Sequence, residues 1–148
     1  MLNPGQMSGP PRPRILVVDD DPPVREMVVR VLAGEGYAPV PAANGEEALH
    51  VAETAGLDLV LLDLGLPGKD GWDVLAGLTR LRPGLPVIIL TAWPDQAPAA
   101  RAAGSAALFE KPLDFPLLLE TVARLLADHP APGLDRPAGH IVTSAQEP

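Results

Sequence analysis

The sequence predicts an α/β fold built on a doubly wound, five-stranded parallel sheet. Short apolar runs alternate with amphipathic segments five times along the chain, which is the pattern of a repeated β-α unit. Three of the runs are almost entirely apolar, as strands covered by helices on both faces are. Because crossovers between parallel strands are right-handed, these units favour the strand order 2-1-3-4-5. The strands are predicted at 14–18, 38–42, 57–62, 86–90 and 106–110.

The first helix has clear start and stop signals. Asp21 is a suitable N-cap, Pro22 suits the first helical position, and Gly34 and Gly36 end the segment. Apolar side chains between them repeat at the spacing of one helix face. They are Val24, Met27, Val28, Val31 and Leu32. We therefore expect Asp21 to begin this helix.

The later helices are predicted from capping and periodicity. Asn44 and Glu47, three residues apart, resemble a capping box for a helix that runs through Ala55. Amphipathic spacing predicts two further helices at 72–81 and 115–127. Together with the first helix and a weaker segment described below, they complete five β-α units.

Composition indicates one acidic domain with unpatterned ends. The chain has 148 residues, enough for one buried domain, and a net charge of −8, which argues against a nucleic-acid surface. It has no cysteine, and the N-terminus has no apolar signal-peptide region. No apolar run is long enough to span a bilayer, so we expect a soluble, cytoplasmic protein. We predict a disordered arm at 1–13, a folded domain at 14–127, and a disordered, Pro-rich tail or linker at 128–148.

Three aspartates are predicted to meet at one edge of the sheet. In the order 2-1-3-4-5 the ligand site lies at the carboxyl ends of strands 1 and 3, where Asp19, Asp20 and Asp63 stand. A single aspartate in such a place usually caps a helix. Three carboxylates at one crevice need a cation to remain ionised, and an oxygen-only ligand set favours Mg²⁺.

A hydroxyl and an ammonium group are predicted at the same rim. Thr91 follows strand 4 and Lys111 follows strand 5. Alone, Thr91 would usually be a strand-end hydrogen bonder and Lys111 a solvated lysine. Beside a metal and a carboxylate, the two together form a set suited to the oxygens of a phosphoryl group.

Four motifs follow one another along the chain: ILVVDDD, LVLLDLGLPGKDG, VIILTA and FEKPL. Their order and spacing resemble those of the receiver domain of two-component response regulators. The resemblance covers about residues 14–127 and implies the flavodoxin-like (βα)5 arrangement. It implies that Asp63 accepts a phosphoryl group, that Thr91 is the switch hydroxyl and that Lys111 contacts the phosphoryl. It also implies a cis bond before Pro112. The groups implied to hold Mg²⁺ are Asp19, Asp20, Asp63 and the carbonyl of Gly65.

The resemblance also implies partners. The donor would be a sensor histidine kinase or a phosphotransfer protein, and phosphorylation would switch contacts with an unknown downstream protein or a missing output domain. It implies no direct nucleic-acid or membrane contact, and a monomer or weak dimer. The chain would not be an enzyme beyond catalysing its own phosphorylation and dephosphorylation.

Two features depart from the family pattern. Leu108 stands where members usually carry an aromatic residue, and Phe109, one position later, should point to the opposite face of the strand. Pro94 and Pro98 confine the fourth helix to about two turns after Pro98. Trp93 is expected near the site mouth, as a gate, an interaction anchor or a packing residue.

Two rival functions are also compatible with parts of the sequence. A receiver-like interaction module that no longer switches is favoured by Leu108 and opposed by the complete acidic set. A haloacid-dehalogenase-type phosphatase would use Asp19-x-Asp21, but Pro23 stands where that motif has Thr or Val. That class also needs an acidic pair after the lysine, where the fold offers only Asp114 and Glu120.

Overall fold

A computed structural model of the chain describes residues 12–66, 70–128 and 142–143. The strands are β1 Arg14–Val18, β2 Ala38–Ala42, β3 Leu59–Asp63, β4 Val87–Thr91, β5 Ala107–Glu110 and β6 Val142–Thr143. The helices are α1 Pro22–Gly34, α2 Gly45–Thr54, α3 Gly71–Leu81, α4 Ala97–Ala102 and α5 Phe115–Asp128. Neighbouring strands are parallel, and their order is β2-β1-β3-β4-β5-β6. The predicted fold class and the order 2-1-3-4-5 are confirmed.

The sixth strand, β6, is an addition to the five predicted strands. Val142 lies opposite Ala107 and Thr143 opposite Leu108, in parallel register with β5. It falls within the segment predicted as a disordered tail. The rest of that segment beyond Asp128, and residues 1–11 of the predicted arm, lie outside the described residues.

The sheet is buried on both faces because its strands are apolar on both sides. Along β1, Leu16 and Val18 join the cluster under α2 and α3, whereas Ile15 and Val17 join the cluster under α1 and α5. All four side chains are fully buried. Because neighbouring strands are parallel, their carboxyl ends meet along one edge of the sheet.

The helix starts agree with the predictions except at α1 and α4. Asp21 occupies the N-cap position of α1 in an extended conformation, but its side chain makes no capping hydrogen bond. The capping box of α2 is present, because Glu47 N donates to Asn44 Oδ1 at 2.8 Å and Glu47 Oε1 accepts from Ala43 N at 2.8 Å. Helix α4 is short, as expected, but it begins at Ala97, because the first turn of a helix tolerates a proline such as Pro98.

A close approach fixes the start of α3. A Cβ atom added to Gly71 would lie 2.7 Å from both Cα and O of Leu64, so any larger residue would displace the chain just after β3. Residues 67–69 of this connection lie outside the described residues. The tight contact places the chain after Asp63 directly against the first turn of α3. Among the described helices, none combines the length and apolar character that crossing a bilayer requires.

Candidate functional site

Three carboxylates meet at the carboxyl edge of the sheet. Asp19 and Asp20 follow β1, and Asp63 is the last residue of β3. One carboxylate oxygen from each lies within 4.8 Å of the others. Asp19 and Asp63 are buried, whereas Asp20 is exposed. The structure therefore brings together the three aspartates that the strand order predicted to meet.

Local hydrogen bonds hold Asp19 in place. Its Oδ1 accepts from the main-chain N–H of Asp21 at 3.0 Å, which bends the chain as β1 ends. Its carbonyl accepts from Arg25 Nη1 at 2.7 Å. Arg25 was not predicted as a site neighbour, because an arginine in the second turn of a helix is ordinarily a solvated surface residue. Its contribution here is to tie α1 to the turn that presents Asp19 and Asp20.

Lys111 is shared between the two buried carboxylates. Its Nζ lies 3.2 Å from Asp19 Oδ2 and 3.4 Å from Asp63 Oδ2. The other oxygen of Asp63, Oδ1, accepts from the main-chain N–H of Gly65 at 3.0 Å. Asp63 is thus oriented from two sides, by the ammonium at the end of β5 and by the backbone two residues ahead.

The two ion-pair partners respond differently to burial. The pKa of Asp63 is raised, mainly because burial disfavours its charge, with repulsion by Asp19 adding to this and Gly65 and Lys111 opposing it. Burial lowers the pKa of Lys111, but attraction to Asp63 and Asp19 outweighs this and leaves it raised. Both pKa values can be raised because the Lys111 ammonium is attracted by two buried carboxylates, whereas Asp63 has only a share of that one ammonium. Without a further cation, ionisation of Asp63 therefore costs more free energy in the folded chain than in water.

The charge and chemistry of the cluster fit a divalent cation. Among the described residues, the three aspartate side chains of the cluster share one ion-pairing partner, Lys111, which contacts Asp19 and Asp63. The ligand atoms are all carboxylate oxygens, with exposed Asp20 on the solvent side. Mg²⁺ prefers oxygen ligands and usually retains several waters, so a partly open carboxylate cluster suits it.

Thr91 lies at the same edge, on the strand between those of Asp63 and Lys111. Its carbonyl accepts from Lys111 N at 2.8 Å, which joins the ends of β4 and β5. Its Oγ1 accepts from Trp93 N at 2.9 Å, leaving the hydroxyl proton able to meet another acceptor. The Lys111–Pro112 peptide bond is cis, as the resemblance implied.

The residues that depart from the family pattern have well-defined places. Leu108 and Phe109 are both fully buried, in the clusters on opposite faces of the sheet, as predicted. The side chain of Trp93 is 52% exposed, so it is not part of the core. Because residue 108 is a buried leucine, this position has no aromatic ring that could turn between the core and solvent.

Comparison with known proteins gives a consistent result. The sequence model of the family described as "Response regulator receiver domain" matches residues 15–123. The transcriptional regulatory protein GlrR of Escherichia coli is 38% identical over 82% of this chain, which spans only 28% of that relative. Sporulation initiation phosphotransferase F of Bacillus subtilis is 35% identical over 76% of this chain and 93% of its own length.

Solved structures resemble the chain over the same region. A CheY-like receiver domain protein from Methanospirillum hungatei has a TM-score of 0.75 and 32% identity, covering 78% of this chain and 94% of its own. Response regulator protein TrrA from Thermotoga maritima, solved in complex with Mg(2+)-BeF, has a TM-score of 0.71 and 36% identity. That match covers 76% of this chain and 98% of the TrrA chain.

Proposed function

The chain belongs to the response regulator receiver domain family, and we propose that it accepts a phosphoryl group on Asp63 from a phosphohistidine donor. The observation that carries this proposal is the geometry of Asp63. Its carboxylate is buried and lies 3.4 Å from Lys111 Nζ, next to the acidic pair Asp19 and Asp20. A carboxylate presented in this way is a competent nucleophile.

In the transfer, a P–O bond to Asp63 replaces the P–N bond of the donor. An oxygen of Asp63 attacks the phosphorus of the donor, the P–O bond forms, and the P–N bond to the donor imidazole breaks. The leaving imidazole nitrogen keeps the electron pair and takes up a proton. Lys111, already within hydrogen-bonding distance of Asp19, can neutralise an oxygen of the transferred group, and the Thr91 hydroxyl can donate to another.

A magnesium ion at the carboxylate cluster would supply charge neutralisation for the approach of an anionic donor. Asp19, Asp20 and Asp63 would hold it, with the carbonyl of Gly65 as a further ligand. The close approach of three carboxylate oxygens, one from each aspartate, supports this assignment. Phosphoryl transfer depends mostly on positioning and charge neutralisation, which these residues provide.

We further propose that phosphorylation alters the surface near Thr91. The hydroxyl now accepts from Trp93 N, and drawing it toward a new phosphoryl oxygen would move the segment that leads to α4. The partners would be a histidine kinase or phosphotransfer protein and a downstream protein or output domain. Similarity to a transcriptional regulatory protein and to a sporulation phosphotransferase supports this class of partner without selecting one.

Phosphorylation by acetyl phosphate tests the proposal. With Mg²⁺ present, the wild-type chain should acquire a stoichiometric, acid-labile phosphate, and Asp63→Asn should acquire none. Asp58→Asn is the matched control, because Asp58 lies before β3 at the opposite edge and accepts from Arg14 N. Label that persists in Asp63→Asn would refute the assignment.

The burial of Leu108 gives a specific reason to test a receiver that binds phosphoryl without switching. Beryllofluoride with Mg²⁺ should change the fluorescence of half-exposed Trp93 if the segment after Thr91 moves. A chain that is labelled on Asp63 but shows no change in Trp93 fluorescence or amide spectra would be a non-switching module. Steady turnover of a phosphate monoester would instead favour a phosphatase.

A further inference from the structure

The turn between β1 and α1 carries two of the three clustered aspartates, and the two are held differently. Asp19 is buried, and its Oδ1 accepts from Asp21 N at 3.0 Å. Asp20 is exposed, and no residue in the described part of the chain hydrogen-bonds to it. The place of Asp20 in the cluster is therefore set by the two peptide units that flank it.

Two hydrogen bonds hold those peptide units. Arg25 Nη1 donates to the carbonyl of Asp19 at 2.7 Å, which fixes the unit before Asp20. The bond from Asp21 N to Asp19 Oδ1 fixes the unit after it. Because a peptide unit is planar, a bond to one of its atoms orients the whole unit. The bond from Arg25 is short and charge-assisted, which places it among the stronger hydrogen bonds.

The start of α1 has few main-chain donors with which to hold this turn. Pro22 and Pro23 have no N–H group, and the side chain of Asp21 makes no capping bond. The main-chain N of Arg25 donates to the carbonyl of Asp21 at 2.9 Å. Arg25 therefore closes the first turn of the helix with its backbone and clamps the turn after β1 with its side chain.

We propose that Arg25 is a positioning residue for the magnesium site. By fixing the peptide unit between Asp19 and Asp20, it presents the Asp20 carboxylate to the cluster and raises the affinity for Mg²⁺. This inference rests on the proposed magnesium site. The effect is opposite to the one expected from charge alone, because a guanidinium group near a cation site repels the cation. Loss of Arg25 should weaken Mg²⁺ binding even though it removes a positive charge.

Arg30 provides a matched control on the same helix. Arg25 and Arg30 line one surface groove, together with Val29 and Pro41. The side chain of Arg30 makes no hydrogen bond or ion pair with the residues that the structure describes. Arg25→Met and Arg30→Met each remove one positive charge and keep an unbranched side chain, but only Arg25→Met removes the bond to Asp19. The difference between the two variants therefore reports that bond.

Mg²⁺ titration of the full chain, followed by amide spectra, tests the effect on affinity. Arg25→Met should bind Mg²⁺ about 10- to 100-fold more weakly than wild type, as is usual when a group that orients a metal ligand is removed. Arg30→Met should bind as tightly as wild type or slightly more tightly. Equal affinity of the two variants, or tighter binding by Arg25→Met, would overturn the proposal.

Backbone relaxation measured in EDTA tests the positioning without the metal. The amides of Asp20 and Asp21 should have order parameters near those of rigid backbone, about 0.85, in wild type and in Arg30→Met. In Arg25→Met they should fall toward the flexible range, below about 0.6, while the amide of Leu16 in β1 stays unchanged and shows that the sheet is intact. Unchanged order parameters at Asp20 and Asp21 in Arg25→Met would overturn the proposal.

The two experiments separate this inference from the proposed function. Wild type that binds Mg²⁺ normally, with Arg25→Met behaving as Arg30→Met, would refute the role of Arg25 alone. Wild type that binds no Mg²⁺ would refute both the magnesium site and the role of Arg25 in it. Neither readout requires phosphorylation of Asp63.

Discussion

Asp63 combines two requirements that oppose each other in the free protein. A nucleophilic carboxylate must be ionised, yet burial against β1 and β4 disfavours its charge and raises its pKa. Lys111 and the amide of Gly65 only partly offset this. The site therefore stores a local electrostatic cost that an added cation can relieve.

This cost predicts how stability depends on pH at residue 63. Because the folded pKa of Asp63 lies above the ordinary value of about 3.9, folding takes up a proton between the two values. The contribution of Asp63 to stability is thus fully present below that ordinary value and is lost as pH rises through the folded pKa. In EDTA at pH 7, Asp63→Asn should unfold at a higher urea concentration than wild type.

The pH dependence provides the check. The advantage of Asp63→Asn over wild type should shrink as pH falls and Asp63 becomes protonated. Urea unfolding at several pH values, with Asp58→Asn in parallel, measures it. A variant less stable than wild type at pH 7 would show that the Lys111 ion pair outweighs burial. A difference independent of pH would show that folding does not shift the pKa of Asp63.

Some residue-level detail follows from the sequence and some does not. The positions of Asp19, Asp20 and Asp63 are predictable because each follows an apolar strand whose place in the sheet is set by topology. The missing capping bond of Asp21 and the contact from Arg25 to the Asp19 carbonyl are not predictable. Both depend on how the turn after β1 folds over the sheet edge, which one sequence does not specify.

At the scale of elements, the junction of β3 and α3 is the most tightly constrained. Gly71 accepts no Cβ without moving the backbone of Leu64, one residue beyond Asp63. The site geometry therefore depends on a glycine that contributes no functional group. Because Leu64 and Leu66 are buried, the segment cannot simply swing outward.

Gly71→Ala should destabilise the protein by about 1–3 kcal/mol through overpacking against Leu64. Gly34→Ala is the matched control, since a Cβ there meets nothing within 4 Å and should be neutral or stabilising by up to about 1 kcal/mol. Urea unfolding of both variants measures the difference. Equal stability of the two would show that the backbone at Leu64 yields without cost.

Local sequence patterns predict several of the elements. Apolar runs predict strands β1, β3 and β4, and the capping box predicts helix α2. Helix α4 was predictable only as a short segment, because Pro98 limits where it can begin. Strand β6 was not, since its two residues gain their partner only when α5 has brought the chain back to β5. Pairing between distant segments is a tertiary effect that propensity alone does not reveal.

For the whole molecule, the acidic cluster predicts that Mg²⁺ binding and folding are linked. A ligand that binds only the folded chain stabilises it by about 2.7 kcal/mol at a hundred times its dissociation constant. Saturating Mg²⁺ should therefore raise the free energy of unfolding of wild type. Asp20→Asn, which removes the exposed carboxylate of the cluster, should reduce that increment strongly.

Urea unfolding with Mg²⁺ or EDTA, compared between wild type, Asp20→Asn and Asp58→Asn, tests the linkage. Asp58→Asn should keep the full increment because its carboxylate lies at the opposite edge of the sheet. An equal increment in Asp20→Asn and wild type would place the stabilising ion elsewhere.

Chemical trapping shows whether Asp63 itself forms the acyl phosphate. Phosphorylated wild-type chain is reduced with borohydride, which converts an aspartyl phosphate to homoserine, and the peptides are sequenced by mass spectrometry. We expect conversion at residue 63, dependent on Mg²⁺ and absent without the phosphoryl donor. Conversion at Asp19, Asp20 or another carboxylate, with residue 63 unchanged, would contradict it.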